Sequence, residues 1–275
     1  MSYSFQTNVT SLLAQQNLRV NSDFQSRTIT RLTSGYRINS SADDAAGLAV
    51  ANKLRSDVTE LQQGVRNAND GVSILQIVDG GLNNISNILD RLKTLATESA
   101  SDTFSGDRAT LDTEFQGLLT EITRQASNIG LASGGKYNVA LDVYIGGGDT
   151  QADAKVTIDL SGAGNQVDAA GLGVSSDAVD TKANALTALT DITAAISALG
   201  LAQGAVGTGE NELNYAVQLA QSQISSFSAA QSSIRDADVA TEAANLTKAQ
   251  ILEQSSVAAL AQANAAPQAL LKLLQ

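Results

Sequence analysis

Apolar side chains recur along residues 58–96 at Val58, Leu61, Val65, Ala68, Val72, Leu75, Val78, Leu82, Ile85, Leu89, Leu92 and Ala96. The steps alternate between three and four residues, with one irregularity around Val78. That spacing predicts a helix with a coiled-coil-like seam on one face. Its other faces carry Asn, Gln, Asp, Ser and Arg. A second helix is expected after Ser105–Gly106, built on Leu111, Phe115, Leu118, Leu119 and Ile122. Near the other end, Leu189, Ile192, Ile196, Leu199, Ala202 and Val206 continue into Leu213, Val217, Ala220, Ile224, Phe227 and Ile234. Gly200, Gly204, Gly207 and Gly209 interrupt this second seam. Each weakens a helix by about 1 kcal/mol, so a kink or break is expected there. Two seams of this length must be covered, which points to a long antiparallel bundle from both chain halves.

Between the helical zones the period changes. Val139, Leu141, Val143 and Ile145 alternate with Ala140, Asp142 and Tyr144, and Val156, Ile158 and Leu160 alternate with Thr157 and Asp159. Period two predicts strands, and the Gly-rich run from Gly146 to Ala154 predicts the turn of a β-hairpin. Residues 161–176 are expected to be loop. With seven Asp against Lys136 and Lys155, this insert is expected to form a solvated, acidic surface element. The fold class is therefore mainly α: a long coiled-coil-like bundle, a small β-hairpin insert and paired terminal helices. The chain ends are unusually apolar, with Leu12, Leu13, Phe24, Ile29 and Leu32 on one side and Ile251, Leu252, Val257, Leu260, Leu270, Leu271, Leu273 and Leu274 on the other. Helices this apolar need partners. Either the two ends pack together or they wait for other molecules.

Composition narrows the chemistry. The 275 residues contain no Cys and no His, and one Pro, Pro267. Disulfides, thiolate metal sites and histidine acid–base catalysis are excluded. Aromatic residues make up only 4%, so the core is aliphatic. The formal net charge of -11 argues against nucleic acid and anionic membrane surfaces as partners. Residues 1–10 lack the basic and apolar regions of a secretory signal, and no stretch is expected to be apolar enough to span a bilayer.

Several runs then resemble one family. Thr33-Ser34-Gly35-Tyr36-Arg37-Ile38-Asn39-Ser40, Asp43-Asp44-Ala45-Ala46-Gly47-Leu48-Ala49 and Arg66-Asn67-Ala68-Asn69-Asp70-Gly71 are similar to N-terminal motifs of bacterial flagellins. Ser232-Ser233-Ile234-Arg235-Asp236-Ala237-Asp238, Leu260-Ala261-Gln262-Ala263-Asn264 and Pro267-Gln268 resemble their C-terminal motifs. The resemblance covers about residues 5–130 and 205–275. It implies a structural subunit that polymerises into the flagellar filament, with no cofactor and no enzymatic activity. A flagellin-like hook–filament junction protein is the alternative. The implied domains are an inner terminal layer of residues 1–44 plus 236–275, a helical bundle of 45–130 plus 181–235, and the insert, 131–180, facing solvent. The implied partners are many copies of the same chain, the flagellar type III export apparatus and an export chaperone, and filament cap and junction proteins. The implied location is the extracellular flagellum. The resemblance also implies terminal segments that wait for assembly partners. Where flagellins carry Phe-Asn-Gly after the second helix, this chain has Ala126-Ser127-Asn128-Ile129-Gly130-Leu131, so a different turn is expected.

Three further groups carry candidate chemistry. Arg91, Leu95 and Glu114 match positions where flagellins contact the animal toll-like flagellin receptor. Thr94 and Glu98 depart from the strong receptor-binding run, so weak binding is expected, and a subunit-contact surface is the favoured role. Gly146-Gly147-Gly148-Asp149 with Asp153 has the oxygen-rich look of a calcium loop, but a flexible acidic turn is the expected reading, with no metal. Asp43 and Asp44 could be an acid–base pair, yet their place before Ala45-Ala46 favours helix capping.

Overall fold

The structure, a computed structural model, describes residues 7–148, 153–161 and 165–273, with side chains as far as residue 265. The elements are α1 (Val9–Ser34), α2 (Ala45–Ala100), α3 (Arg108–Asn128), β1 (Ala140–Tyr144), β2 (Lys155–Asp159), α4 (Lys182–Arg235) and α5 (Val239–Leu273). They form two compact units, Asp57–Ser225 and the two chain ends, Met1–Ser56 with Ser226–Gln275.

In the unit Asp57–Ser225, the buried line of α2 runs Leu61, Gly64, Ala68, Gly71, Leu75, Val78, Leu82, Ile85, Leu89, Leu92 and Ala96. Three- and four-residue steps now alternate without exception. The expected irregularity vanishes because the seam passes through Gly64 and Gly71, while Val65 and Val72 stand half-buried beside it. The glycines are there because other parts of the chain fill their places. A Cβ on Gly64 would lie 1.7 Å from the Ile145 carbonyl oxygen, and one on Gly71 would lie 3.0 Å from Leu213 and 3.2 Å from Val143.

Half of the α4 seam is alanine: Ala185, Ala188, Ile192, Ala195, Leu199, Ala202, Val206, Gly209, Leu213 and Ala220 are buried. Leu189 and Ile196, expected at its centre, are half-buried at its side. Small residues on one helix facing large ones on the other allow close approach. The helices run antiparallel. Gln203 Nε2 donates to Asn83 Oδ1 at 3.3 Å, and Lys182 reaches Asp102 at 2.7 Å. The break expected at Gly200–Gly209 is absent, since α4 continues through it. Packing compensates at Gly209, where a Cβ would strike Ile158 at 2.7 Å. The expectation that no stretch is apolar enough to span a bilayer is also corrected. By length and composition, α4 contains one such window. Its apolarity comes from the alanine seam together with exposed Leu186 and Leu201.

Phe115, Leu119, Ile122 and Ala126 bury the inner face of α3. Asp107 caps its start, accepting from the Ala109 N–H. Its end is a Schellman turn: Gly130 has φ 72°, and the Leu131 N–H donates to the Ala126 carbonyl at 3.0 Å. That turn sends Ile129 onto α2, where a Cβ on Gly81 would sit 2.2 Å from it.

β1 and β2 pair antiparallel, Val143 opposite Val156 and Leu141 opposite Ile158. The insert was expected to face solvent, and only its outer side does. Asp142, Tyr144, Lys155 and Thr157 are exposed, whereas Val143, Ile145, Ile158 and Leu160 are buried. The segment after the hairpin has little regular structure, yet Val167, Leu172, Val174 and Val179 are buried. It is tied down by Gln116 donating to the Asp177 carbonyl and by the Val179 N–H donating to Asp112. The middle of the chain is thus part of the core of this unit.

Candidate functional site

The unit formed by the chain ends pairs α1 with α5, and the order of their contacts is antiparallel. Asn8 Nδ2 donates to the Ala263 carbonyl at 2.8 Å, Ser11 Oγ to Asn264 Oδ1 at 2.8 Å, and Asn21 Nδ2 to Ser256 Oγ at 2.7 Å. Arg31 pairs with Glu242 at 3.3 Å. Asn8 caps α1 by accepting from the Ser11 N–H, and Gly35, with φ 73°, ends it. Asp238 starts α5 by accepting from the Ala240 N–H at 2.9 Å.

The facing line of α1 is Ser11, Ala14, Leu18, Asn21, Gln25, Thr28 and Leu32, all buried or half-buried. The facing line of α5 is Glu242, Leu246, Ala249, Glu253, Ser256, Leu260 and Ala263. Both follow three-and-four spacing, but the most buried members are Ser11, Thr28, Glu242, Ala249 and Ser256. Many large apolar side chains point the other way. Leu12 is 55% exposed, Leu13 59% and Ile251 58%, and Val9, Val20, Ile29, Val239, Leu252 and Val257 are exposed with them. The pair buries a mixed line of small, polar and leucine side chains and leaves several large apolar ones in water, which does not suit a helix hairpin that is stable alone. Leu13 and Leu252 also flank a shallow groove of about 410 Å³ between the helices, with Ala14, Asn17, Ser256 and Ala259.

The expected assembly residues therefore divide. Leu12, Leu13, Ile29, Ile251, Leu252 and Val257 lie on the outer face. Phe24, Leu32 and Leu260 are half-buried. Leu274 lies outside the described residues, as do the side chains of Leu270, Leu271 and Leu273. The sequence pattern left open whether the ends meet each other or wait for partners, and the resemblance favoured waiting. In the structure they meet each other and still leave the apolar face uncovered.

Beyond α1, the chain passes are clipped together. The Arg37 N–H donates to the Arg235 carbonyl at 2.7 Å, the Ala237 N–H to the Gly35 carbonyl at 2.9 Å, and Arg235 stacks 4.1 Å over the Tyr36 ring. Asp43 accepts from the Asn39 and Ser40 N–H groups and the Ser40 hydroxyl. The Ser40 and Asn39 backbone bonds hold its pKa below the ordinary carboxylate value. Asp44 accepts from the Gly47 N–H at 2.9 Å. Both carboxylates serve turn and helix start.

Arg91 and Glu114 form an exposed ion pair, with Arg91 Nε and Nη2 both donating to Glu114 Oε1 at 2.9 and 2.6 Å. Leu95, grouped with them from the sequence, is only 1% exposed and belongs to the bundle core. Four residues after Arg91 it lies on the same side of α2, and its burial, not its spacing, keeps it from the surface that the pair presents. In the Gly-rich turn Asp149 lies outside the described residues, and among those described no three acidic residues gather as metal ligands. The α1–α5 seam is not marked by hydrophobicity. Its signal is the three-and-four spacing of Ser11, Ala14, Leu18, Asn21, Gln25, Thr28 and Leu32, where small and polar residues hold places that larger apolar side chains nearby do not.

Residues 5–130 match the family described as the bacterial flagellin N-terminal helical region, and residues 187–274 match the bacterial flagellin C-terminal helical region. A flagellin of Halalkalibacterium halodurans is 33% identical over 274 residues, covering 98% of each chain. A flagellar filament 30.7 kDa core protein of Treponema maltophilum is 33% identical over 284 residues, covering 97% of this chain and 98% of its own. The crystal structure of Bacillus cereus flagellin matches 56% of this chain and 88% of that one, at 24% identity and a TM-score of 0.47.

Proposed function

The chain belongs to the bacterial flagellin family, and from that premise we propose that it assembles through the outward apolar faces of α1 and α5. It is a structural subunit of the extracellular flagellar filament and not an enzyme. The observation that carries the assembly reading is the set of large apolar side chains, among them Leu12, Leu13, Val20, Ile251 and Val257, that the helix pair leaves exposed. Repeated in every copy, such a face drives polymerisation by removing apolar surface from water.

In this reading residues 1–44 and 236–275 form the inner layer of the filament. Residues 45–130 and 181–235 form the surrounding bundle, and the outer strand face of 131–180 meets solvent. Export through the flagellar type III apparatus with a chaperone, and contacts with cap and junction proteins, belong to the same reading and rest on family resemblance. The exposed Arg91–Glu114 pair is read as a subunit contact and, secondarily, as a weak toll-like receptor contact without Leu95. The names of the relatives favour a bulk filament subunit over a junction protein.

Seeded polymerisation tests the proposal. Purified chain should add to short filament fragments and extend them into long filaments, and removal of about ten residues from either end should stop extension. Chains that only decorate seed ends without elongating them would support the junction role. Undiminished growth of the truncated chains would contradict assembly through the ends.

A further inference from the structure

The fully buried positions of the seam between α1 and α5 are small or polar, Ser11, Thr28, Glu242, Ala249 and Ser256, and its leucines, Leu18, Leu32, Leu246 and Leu260, are only half-buried. In a conventional helix pair a buried apolar stripe sets register, and a buried polar group specifies it more sharply at some loss of stability. Here the apolar stripe is thin, and directional contacts add the specification. They occur at the two ends and the middle of the pair, at Asn8–Ala263, Ser11–Asn264, Asn21–Ser256 and Arg31–Glu242.

The last of these is the most constrained. The Glu242 side chain is 8% exposed, and its second oxygen accepts from Asn245 Nδ2 at 2.9 Å. Arg31 also approaches Asp43 at 3.9 Å, and its Nε is buried without an acceptor. Glu242 lies in the first turn of α5, where the helix dipole favours a carboxylate. Sliding α5 along α1 by one turn would shift Glu242 by about 5 Å relative to Arg31 and leave its buried carboxylate without a cation.

We propose that Arg31 and Glu242 are positioning residues that key the register of the α1–α5 pair, so that the outer apolar faces of the two helices line up as one assembly surface. Asn21 and Ser256 hold the same register at mid-length. The consequence for assembly rests on the function proposed above; the register itself does not.

The chain has no Cys, so a single engineered pair reports register directly. Cys is placed at 21 and 256, where the native side chains touch, and Asp43→Asn is carried throughout to remove the second carboxylate near position 31. Four full-length chains are compared: this background, Arg31→Glu, Glu242→Arg, and Arg31→Glu with Glu242→Arg. Intrachain crosslink yield is measured in the monomer under mild oxidation, and seeded filament growth is measured separately under reducing conditions. The background should crosslink within one chain and elongate seeds. Each single reversal should lower the crosslink yield at least fivefold and block elongation, and the double reversal should restore most of both. Rescue by charge exchange is a readout that general loss of folding would not give. The proposal fails if single reversals leave the crosslink unchanged, or if the double chain is no better than the worse single one. Scrambled crosslinks with normal elongation would overturn the link between register and assembly, while leaving assembly through the ends intact.

Discussion

A glycine inside a helix costs about 1 kcal/mol relative to alanine, so each one needs a reason. Gly64, Gly71, Gly81 and Gly209 have one, because neighbouring atoms occupy the place of a side chain. At Gly80, Gly200, Gly204 and Gly207 no described residue beyond the helix's own backbone comes within 4 Å of where a Cβ would lie. The two groups should respond oppositely to alanine. Gly64→Ala forces apart α2 and the backbone at Ile145 and should destabilise the monomer by about 1–3 kcal/mol, while Gly200→Ala should stabilise it by about 0.5–1 kcal/mol. Urea unfolding of the monomer measures both. Equal effects of one sign would refute the packing assignment. Titration gives a second test at this scale. Burial, followed by the neighbouring Asp191 carboxylate, raises the Asp177 pKa to about 6 from its ordinary 3.8. The folded chain therefore holds a proton that the unfolded chain has released between about pH 4 and 6. The stability from this proton is complete below that window and is lost as pH rises through about 6. Asp177→Asn mimics the protonated form, so its stability should change less between pH 5 and 7.5, and its Tm at pH 7.5 should exceed that of the unsubstituted chain. An unchanged slope of Tm with pH would reject the assignment.

Among the elements, the helices of the bundle were legible because heptad spacing survives even where side chains are small. The exact seam was less so. Val65 and Val72 are more hydrophobic than Gly64 and Gly71, and no rule of hydrophobicity selects a glycine that another strand covers. The same limit explains why the hairpin looked like a surface ornament. Its alternation showed one apolar face, but what covers that face comes from residues roughly 70 positions earlier and 50 later, at Gly71 and Gly209. At the ends, the apolar residues were found and their direction was not, since the facing lines mix leucines with Ser, Asn, Gln and Thr and so carry a weak hydrophobic signal. If the hairpin belongs to the core, Ile158→Ala should lower monomer stability by about 2–4 kcal/mol. Lys155→Ala, which removes only the exposed pair with Asp142, should change it by less than about 1 kcal/mol. Denaturant midpoints distinguish the two, and a small Ile158 effect would return the hairpin to an outer decoration.

On the scale of the whole molecule, two opposing forces govern association. Each copy carries a formal charge of -11, so copies repel one another, while the uncovered apolar faces of α1 and α5 attract. Salt screens the first and, when kosmotropic, strengthens the second, so the concentration needed for filament growth should fall as sulfate is raised. Growth favoured by low salt, followed by sedimentation, would mean that charge contacts dominate assembly. The central claim is that the outer apolar face, and not the stability of the folded monomer, drives polymerisation. Its most direct test is the triple substitution Leu12→Ser, Leu13→Ser and Ile251→Ser, followed by seeded elongation alongside monomer unfolding. These side chains are solvent-exposed, so the monomer should keep its helical content and unfold within about 1 kcal/mol of the parent, while elongation should stop. Elongation of the triple variant at the parental critical concentration, with the monomer intact, would contradict the account.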